Sequence, residues 1–477
     1  MSVSSRLCVV ALVALVGCIA PVTPAAPVDI PSPTPSPTAN SDACSRYVSP
    51  LGDDVNSGSL QQPWATFQHA VELAQPGDVV CLRSGNFITY ETHLTRSGAP
   101  DQWIVFRAAP DEHPVLLNPG TGVNTQDDAV NLITLDPGVS YIRLSGLRLE
   151  GFAIWGIYLA GGNHDVHLDH LEIIGGEAGA RFTLGNSGEP PANGPVENVI
   201  FEDSVIKDLL YTAVDCTPGP CDNMIFRRLD ISGAGIASGE SSFGADALAV
   251  ERGSNITVED NVIHDNGGDG IDLNSRDRDG HAQGINVVGN QVYRNHLQAI
   301  KLWAGGEMRN NAIWGQGINP VILGVWPGDF MVANNTIAYN LWSSAFSGRD
   351  YALVAAYPEA GQPSPQINLT LTDNIFAFNT GPDVGTPTGI YLGAGVTLTA
   401  ESGNVFFSRD DCEIEAQFVA GRDPCFTQDD ISGGMWAQIS GQGAGDLAID
   451  PLFAAGWPDV NLALLPSSPA AGKGVLP

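Results

Sequence analysis

The 477-residue chain carries 53 acidic residues against 21 Lys and Arg, a formal net charge of −32. A surface this negative excludes nucleic acid and anionic lipid as direct partners, and it admits an anionic polysaccharide only if a cation mediates. Charged residues are sparse (16%), glycine is abundant (55) and hydrophobic content is ordinary, which excludes disorder and, at this length, points to a multidomain or repetitive fold.

The chain opens with a weak positive region at Arg6 and an apolar run, LCVVALVALV (7–16), too short to span a bilayer. LVGC (15–18) resembles a bacterial lipobox, which implies cleavage before Cys18 and a lipid on that residue. Residues 21–41, PVTPAAPVDIPSPTPSPTANS, hold seven prolines and almost no large apolar side chains. Such a segment buries no core and is expected to be an extended tether. The expected organisation is therefore a lipoprotein signal peptide (1–17), a Pro-rich tether (18–41) and a single domain (42–477) displayed at the cell surface. Membrane contact is expected only through the lipid on Cys18, because no later stretch is long and apolar enough for a transmembrane helix.

Six cysteines remain in the domain: Cys44, Cys81, Cys216, Cys221, Cys412 and Cys425. An even number in an exported chain implies three disulfides. Pairing sequence neighbours gives the simplest of the possible connectivities, 44–81, 216–221 and 412–425. None of the spacings suits a zinc site.

PWATFQHAVELAQPGD (63–78) places Phe67, Ala70, Val71 and Ala74 on one helical face, stopped by Pro76-Gly77. Further on, one phrase returns: a short alternating strand, a small polar pair, then another short apolar strand. It appears as NITVEDNVIHDN (255–266), INVVGNQVYRN (285–295), EMRNNAIWG (307–315), FMVANNTIAYN (330–340) and INLTLTDNIFAFN (367–379), with SGNVFF (402–407) a fainter copy. An asparagine holds the same place each time, at 261, 290, 311, 335, 374 and 404, at intervals of 29, 21, 24, 39 and 30 residues. These periods point to a solenoid, and the β-branched alternation excludes helices. Asparagine tolerates the left-handed backbone of tight bends, and stacked coils let its amides bond as a ladder. An antiparallel sandwich would show serial Asn-Gly or Asp-Gly hairpins, which are absent. The expected fold is all-β, a right-handed parallel β-helix whose N-terminal helix caps the open end. Residues 47–87 and 449–474 resemble the N- and C-terminal segments of bacterial right-handed β-helix proteins, pectate lyases among them. That resemblance implies the fold more firmly than any activity.

Three successive coils read ADALAV (245–250), GDGIDLN (268–274) and QAIKLWA (298–304). Aligning their apolar positions leaves Ala249, Asp272 and Lys301 facing outward in one column, with Asp246, Asp269 and Gln298 at the preceding bend. The same alignment adds Asp215, from AVDC (213–216), one coil before Ala249, and Tyr158 further back. Lysine is rare, occurring only at 207, 301 and 473. Converging carboxylates repel unless a cation joins them or some protonate, and oxygen-only ligands suit Ca²⁺.

Asp246, Gly268-Asp269-Gly270-Ile271-Asp272 and Lys301 together resemble the active site of polysaccharide lyase family nine. The resemblance implies calcium held by Asp246, Asp269 and Asp272, with Lys301 as the Brønsted base of a β-elimination on a polyuronate such as pectate. Gly268 stands where that family has the first aspartate of a pair, so the implied ligand set is one carboxylate short; Asp215 is the candidate replacement. Tyr158, Trp303 and Arg276, with Trp155, are candidate substrate contacts. Asp277 and Asp279 are expected to dress a loop at the rim. The partner is expected to be an acidic polysaccharide and the protein a monomer. Two alternatives stand beside this reading. A polygalacturonase-type hydrolase would use the same aspartates with His281, although Ala299 precedes Ile300-Lys301 where such enzymes carry arginine. A non-catalytic glycan-binding or structural β-helix would use the surface alone.

Overall fold

The computed structural model describes residues 43–475 except 119–130, 153, 184, 186–189, 237–244, 278–279, 281, 341–350, 357, 359–362, 380–388, 409–411, 422 and 457. The expected signal peptide and tether, with Cys18, lie outside the described residues, as do Asp279 and His281.

Strands of mostly three to seven residues turn at two-residue polar corners between the first and second sheets and through longer connections elsewhere, and each full turn of the chain returns one coil above the last. Three 13-stranded sheets result among the described residues. In coil order, the first runs from Arg46–Val48 to Val396–Ser402, the second from Gly85–Ile88 to Leu447–Ala448, and the third from Thr92–Leu94 to Cys425–Phe426. Pairing is parallel throughout the stack; the last pair of the third sheet, Ile414–Ala416 with Cys425–Phe426, is antiparallel. The fold is a right-handed parallel β-helix, as the repeat implies. One apolar core runs through it from Val48 to Trp436.

The corners explain the recurring asparagine. Asn261, Asn290, Asn311, Asn335, Asn374 and Asn404 are almost wholly buried between the first and second sheets. Each of the first five donates its side-chain amide to the next asparagine's oxygen at 2.9–3.0 Å, and that oxygen also accepts the backbone N–H of the donor residue. The ladder is therefore as expected, but the left-handed residue is not the ladder asparagine. It is the residue before it: Asp260, Gly289, Asn310, Asn334, Asp373 and Gly403 all have positive φ. The first member of the polar pair turns the backbone and the second points its amide inward. A second inward ladder, which the sequence reading missed, lines the next corner: Asn266 bonds Asn295, and Asn340 receives from Gln316 and bonds Asn379.

Both ends are closed. The N-terminal helix covers Phe67–Leu73, shorter than the periodicity suggests, because Thr66 caps it through the His69 N–H and Ala74 already has extended ψ ahead of Pro76. Phe67 packs edge-on against Phe106. At the far end, short helices Gln428–Ser432 and Met435–Ser440 bring Trp436 under the last coil, where its indole donates to Glu401 at 2.9 Å. The hairpin Phe453–Ala455/Asn461–Leu464 belongs to a separate apolar cluster with Ala338, Ile375 and Val405.

Disulfides join Cys44–Cys81, Cys216–Cys221 and Cys412–Cys425, the three neighbour pairs. They suit a domain outside the cytoplasm. No described helix is long and apolar enough to cross a membrane.

Candidate active site

Register decides which side chains meet. In the third sheet, Ala249 stands opposite Asp272 and Asp272 opposite Lys301. Leu248, Ile271 and Ile300 alternate with them into the core, so the intervening residues face outward. Traced toward the N-terminus, the column continues through Asp215, Arg181 and Tyr158.

The structure brings four of the expected residues together. One carboxylate oxygen each from Asp246, Asp269 and Asp272 lies within 4.8 Å of the others. The Lys301 ammonium sits among them, 2.5 Å from Asp269 Oδ2 and 3.1 Å from Asp272 Oδ2. The bend supplies two of the carboxylates through a local rule. Asp246 Oδ1 accepts the Asp269 N–H at 3.0 Å, and Asp269 Oδ1 accepts the Gln298 N–H at 2.9 Å. Each aspartate thus caps the backbone of the next coil with one oxygen. Asp272 is fixed differently: its Oδ1 accepts the Trp303 indole N–H at 2.6 Å.

Burial and like charge set the protonation tendencies. Burial, followed by repulsion from Asp269 and Asp272, pushes Asp246 well above the usual carboxylate range, with Lys301 pulling the other way. Burial also raises Asp269, and Lys301 offsets part of that. Burial disfavours the charge of Lys301, but Asp272, Asp269 and Asp246 outweigh it and hold the ammonium above its ordinary range.

The donor set fits a hard divalent cation: oxygen only, no sulfur or imidazole, and close enough for one ion to reach all three. Gly268 adds nothing to it and has no room to. A Cβ there would lie 2.7 Å from the Ala245 carbonyl carbon and oxygen and 2.9 Å from the Asp246 nitrogen. An aspartate at 268, as the resembled motif would have it, would press against two closely stacked backbones.

Asp215 does not replace it. It stands two strands from Asp272, about 10 Å at the usual spacing. Its carboxylate accepts the Thr217 hydroxyl at 2.6 Å and lies 3.7 Å from Arg181. Tyr158 faces the same side four strands, about 19 Å, from Asp272. Trp303 does turn outward, but presents its N–H edge to Asp272, with the Lys301 ammonium 5.5 Å from its ring centre. Arg276 pairs with Glu251 at 3.5 Å. Asp277 is buried rather than a rim decoration: it accepts the Ala282 N–H at 2.7 Å and lies 3.7 Å from Arg252. Arg181 was overlooked in the sequence, although the column alignment passes through it. It lies over the Trp155 ring at 5.5 Å and donates to the Gly185 and Thr217 carbonyls.

Comparison with known proteins supports this architecture. A model described as "Pel9A-like, right handed beta helix region" matches residues 46–205, and a general right-handed β-helix model matches 155–337. The fold is one that glycan-active proteins use. The first match ends before Asp246, so it covers the N-terminal coils and not the cluster. The uncharacterized protein YwoF of Bacillus subtilis (strain 168) is 24% identical over 364 residues, which span 64% of this chain and 76% of that one. Among solved structures, pectate lyase Pel9A is 14% identical over 81% of this chain and 83% of its own, with a TM-score of 0.40. The A-module of the mannuronan C-5 epimerase AlgE6 of Azotobacter vinelandii is 14% identical over 79% and 91%, with a TM-score of 0.49. These structural likenesses are of fold alone.

Proposed function

We propose that this chain is an exported polysaccharide lyase that cleaves a polyuronate, pectate foremost, by calcium-assisted β-elimination with Lys301 as the base. The observation that supports it is a single outward-facing lysine held within hydrogen-bonding distance of two members of a three-carboxylate cluster. Asp246, Asp269 and Asp272 would hold the ion. Bound calcium would neutralise a uronate carboxylate and make the proton on the adjacent carbon more acidic.

Lys301 Nζ takes that proton. The electron pair of the broken C–H bond forms a carbon–carbon double bond, the glycosidic oxygen leaves the neighbouring carbon, and water supplies that oxygen with a proton. A base must start without its own proton, and the carboxylates that keep Lys301 charged are the ones a cation would engage. Trp303 sets the direction of Asp272, and the bend fixes Asp246 and Asp269, so the three carboxylates need little rearrangement. The substrate is an acidic polysaccharide, the protein acts as a monomer, and Cys18 anchors it.

The test is release of unsaturated uronides from pectate, pectin and alginate, followed by ultraviolet absorbance with calcium or with chelator. Activity is expected with calcium, is lost with chelator, and is abolished by Lys301→Ala in protein that circular dichroism shows to be folded. A folded, calcium-replete protein inactive on all three polymers overturns the proposal. Saturated products indifferent to chelator would indicate a hydrolase.

A further inference from the structure

We infer that Lys301 is a built-in competitor for the metal: in the ion-free protein its ammonium occupies the carboxylate cluster, and it must move aside before a divalent cation can take Asp269 and Asp272. This rests on the calcium reading above and adds a control on loading to it.

One oxygen of each aspartate is already engaged. Asp246 Oδ1 accepts from Asp269, Asp269 Oδ1 from Gln298, and Asp272 Oδ1 from Trp303. Each aspartate keeps its second oxygen. On Asp269 and Asp272 those second oxygens are the two that hold Lys301, at 2.5 and 3.1 Å. The ammonium therefore claims the atoms an incoming ion needs most.

Proximity makes the competition electrostatic as well as positional. Calcium–oxygen contacts run about 2.3–2.6 Å. With Nζ 2.5 Å from Asp269 Oδ2, an ion on that oxygen would lie no more than about 5 Å from the ammonium. The lysine side chain is 14% exposed, and the Asp269 and Asp272 side chains are 4% and 12% exposed, so water screens the repulsion weakly. The stem has somewhere to go. The Trp303 ring centre is 5.5 Å from Nζ, and an aromatic face is a favourable seat for a displaced ammonium. The neighbour on the other side of the column, Ile322, offers no charge.

The experiment is calorimetric titration of calcium chloride into the wild-type protein, Lys301→Met and Lys301→Arg, with thermal unfolding as the check on folding. The methionine variant keeps the stem's length and loses its charge, and is expected to bind calcium at least tenfold more tightly than wild type. The arginine variant keeps the charge and is expected to remain within about threefold of wild type, roughly 0.7 kcal/mol. Catalytic inactivity of the methionine variant is expected and is not the readout. Equal or weaker binding by folded Lys301→Met, with calcium binding intact in wild type, overturns the competition and leaves the calcium reading standing. Absence of calcium binding in all three proteins overturns both.

Discussion

Replacing Gly268 with aspartate would complete the family's Asp-Asp-x-x-Asp pattern in the sequence, and the structure predicts that it weakens the site. A Cβ at 268 would meet the Ala245 carbonyl carbon and oxygen at 2.7 Å and the Asp246 nitrogen at 2.9 Å. Favourable contacts between such atoms lie at about 3.5–4.0 Å, so the overlap is near 1 Å. The opposing atoms are backbone and cannot rotate away. Overpacking of this kind costs roughly 1–3 kcal/mol, and the absence of a yielding side chain places Gly268→Asp at or above the upper end. The strain also falls beside the bond from the Asp269 N–H to Asp246 Oδ1, so the coils that align two ligands are pushed apart. Gly268→Ala carries the steric part alone. Chemical denaturation followed by circular dichroism, with and without calcium, is expected to show both variants destabilised. Calcium should stabilise wild type more than either variant, so the deficit of both widens when it is added. Calcium titration is expected to show weaker binding for both. Wild-type stability together with tighter calcium binding in Gly268→Asp would refute the reasoning.

Two further predictions concern the solenoid. Asn311→Ala removes the acceptor of both Asn290 amide groups and a donor to Val287 and Asn335, leaving the Asn290 N–H buried without a partner. At about 1–3 kcal/mol per stranded group, the loss in denaturant unfolding should reach roughly 3 kcal/mol or more, whereas Asn286→Ala on the outer face should change stability by less than about 0.5 kcal/mol. The second concerns Glu401, which is buried under Trp436 and beside Asp446 and Asn404. Burial first, then Asp446, raises its carboxyl to about 9. A carboxyl raised on folding contributes stability that is fully present below its unfolded value, near 4.5, and is lost as pH rises to about 9. The loss across that window is on the order of 5 kcal/mol. Glu401→Gln should flatten the decline in melting temperature between those pH values; an unchanged slope would show that the group is not the one that titrates.

The solenoid was readable because its geometry is translational. Once one strand's inward positions are known, stacking fixes every neighbour, so aligning Leu248, Ile271 and Ile300 was enough to bring Asp272 and Lys301 together. The same logic found the asparagine ladder, whereas the disulfides followed from pairing cysteines that are neighbours in sequence. It failed where a side chain's direction depends on something other than register. Asp215 is in the right column, but two strands separate it from Asp272 and Arg181 lies beside its carboxylate. Trp303 follows its strand, and only the bend there decides that its indole N–H reaches Asp272 rather than offering a face to a sugar. Asp277 read as a solvated turn residue, yet loop packing buries it. The second ladder was obscured because Gln316 interrupts its asparagines.

The carboxylate cluster also has to be explained energetically. A protein with a net charge of −32 gains nothing in stability from placing three aspartates within 4.8 Å of one another under a mostly buried lysine. Two of them have a structural use as bend caps, but that use is open to neutral residues. At the equivalent bend one coil beyond Gln298, Asn319 accepts the Tyr351 N–H at 2.7 Å. An amide in place of Asp246 or Asp269 would cap the backbone equally well without the repulsion that burial magnifies. Asp272 caps no bend at all. The charge at these three positions is therefore surplus to what the fold requires, and the protein carries its cost where an outward-facing lysine, an indole donor and a side-chain-free Gly268 meet. Strain of this sort persists where function needs it, and the proposed cation site for an acidic chain would use all three carboxylates together.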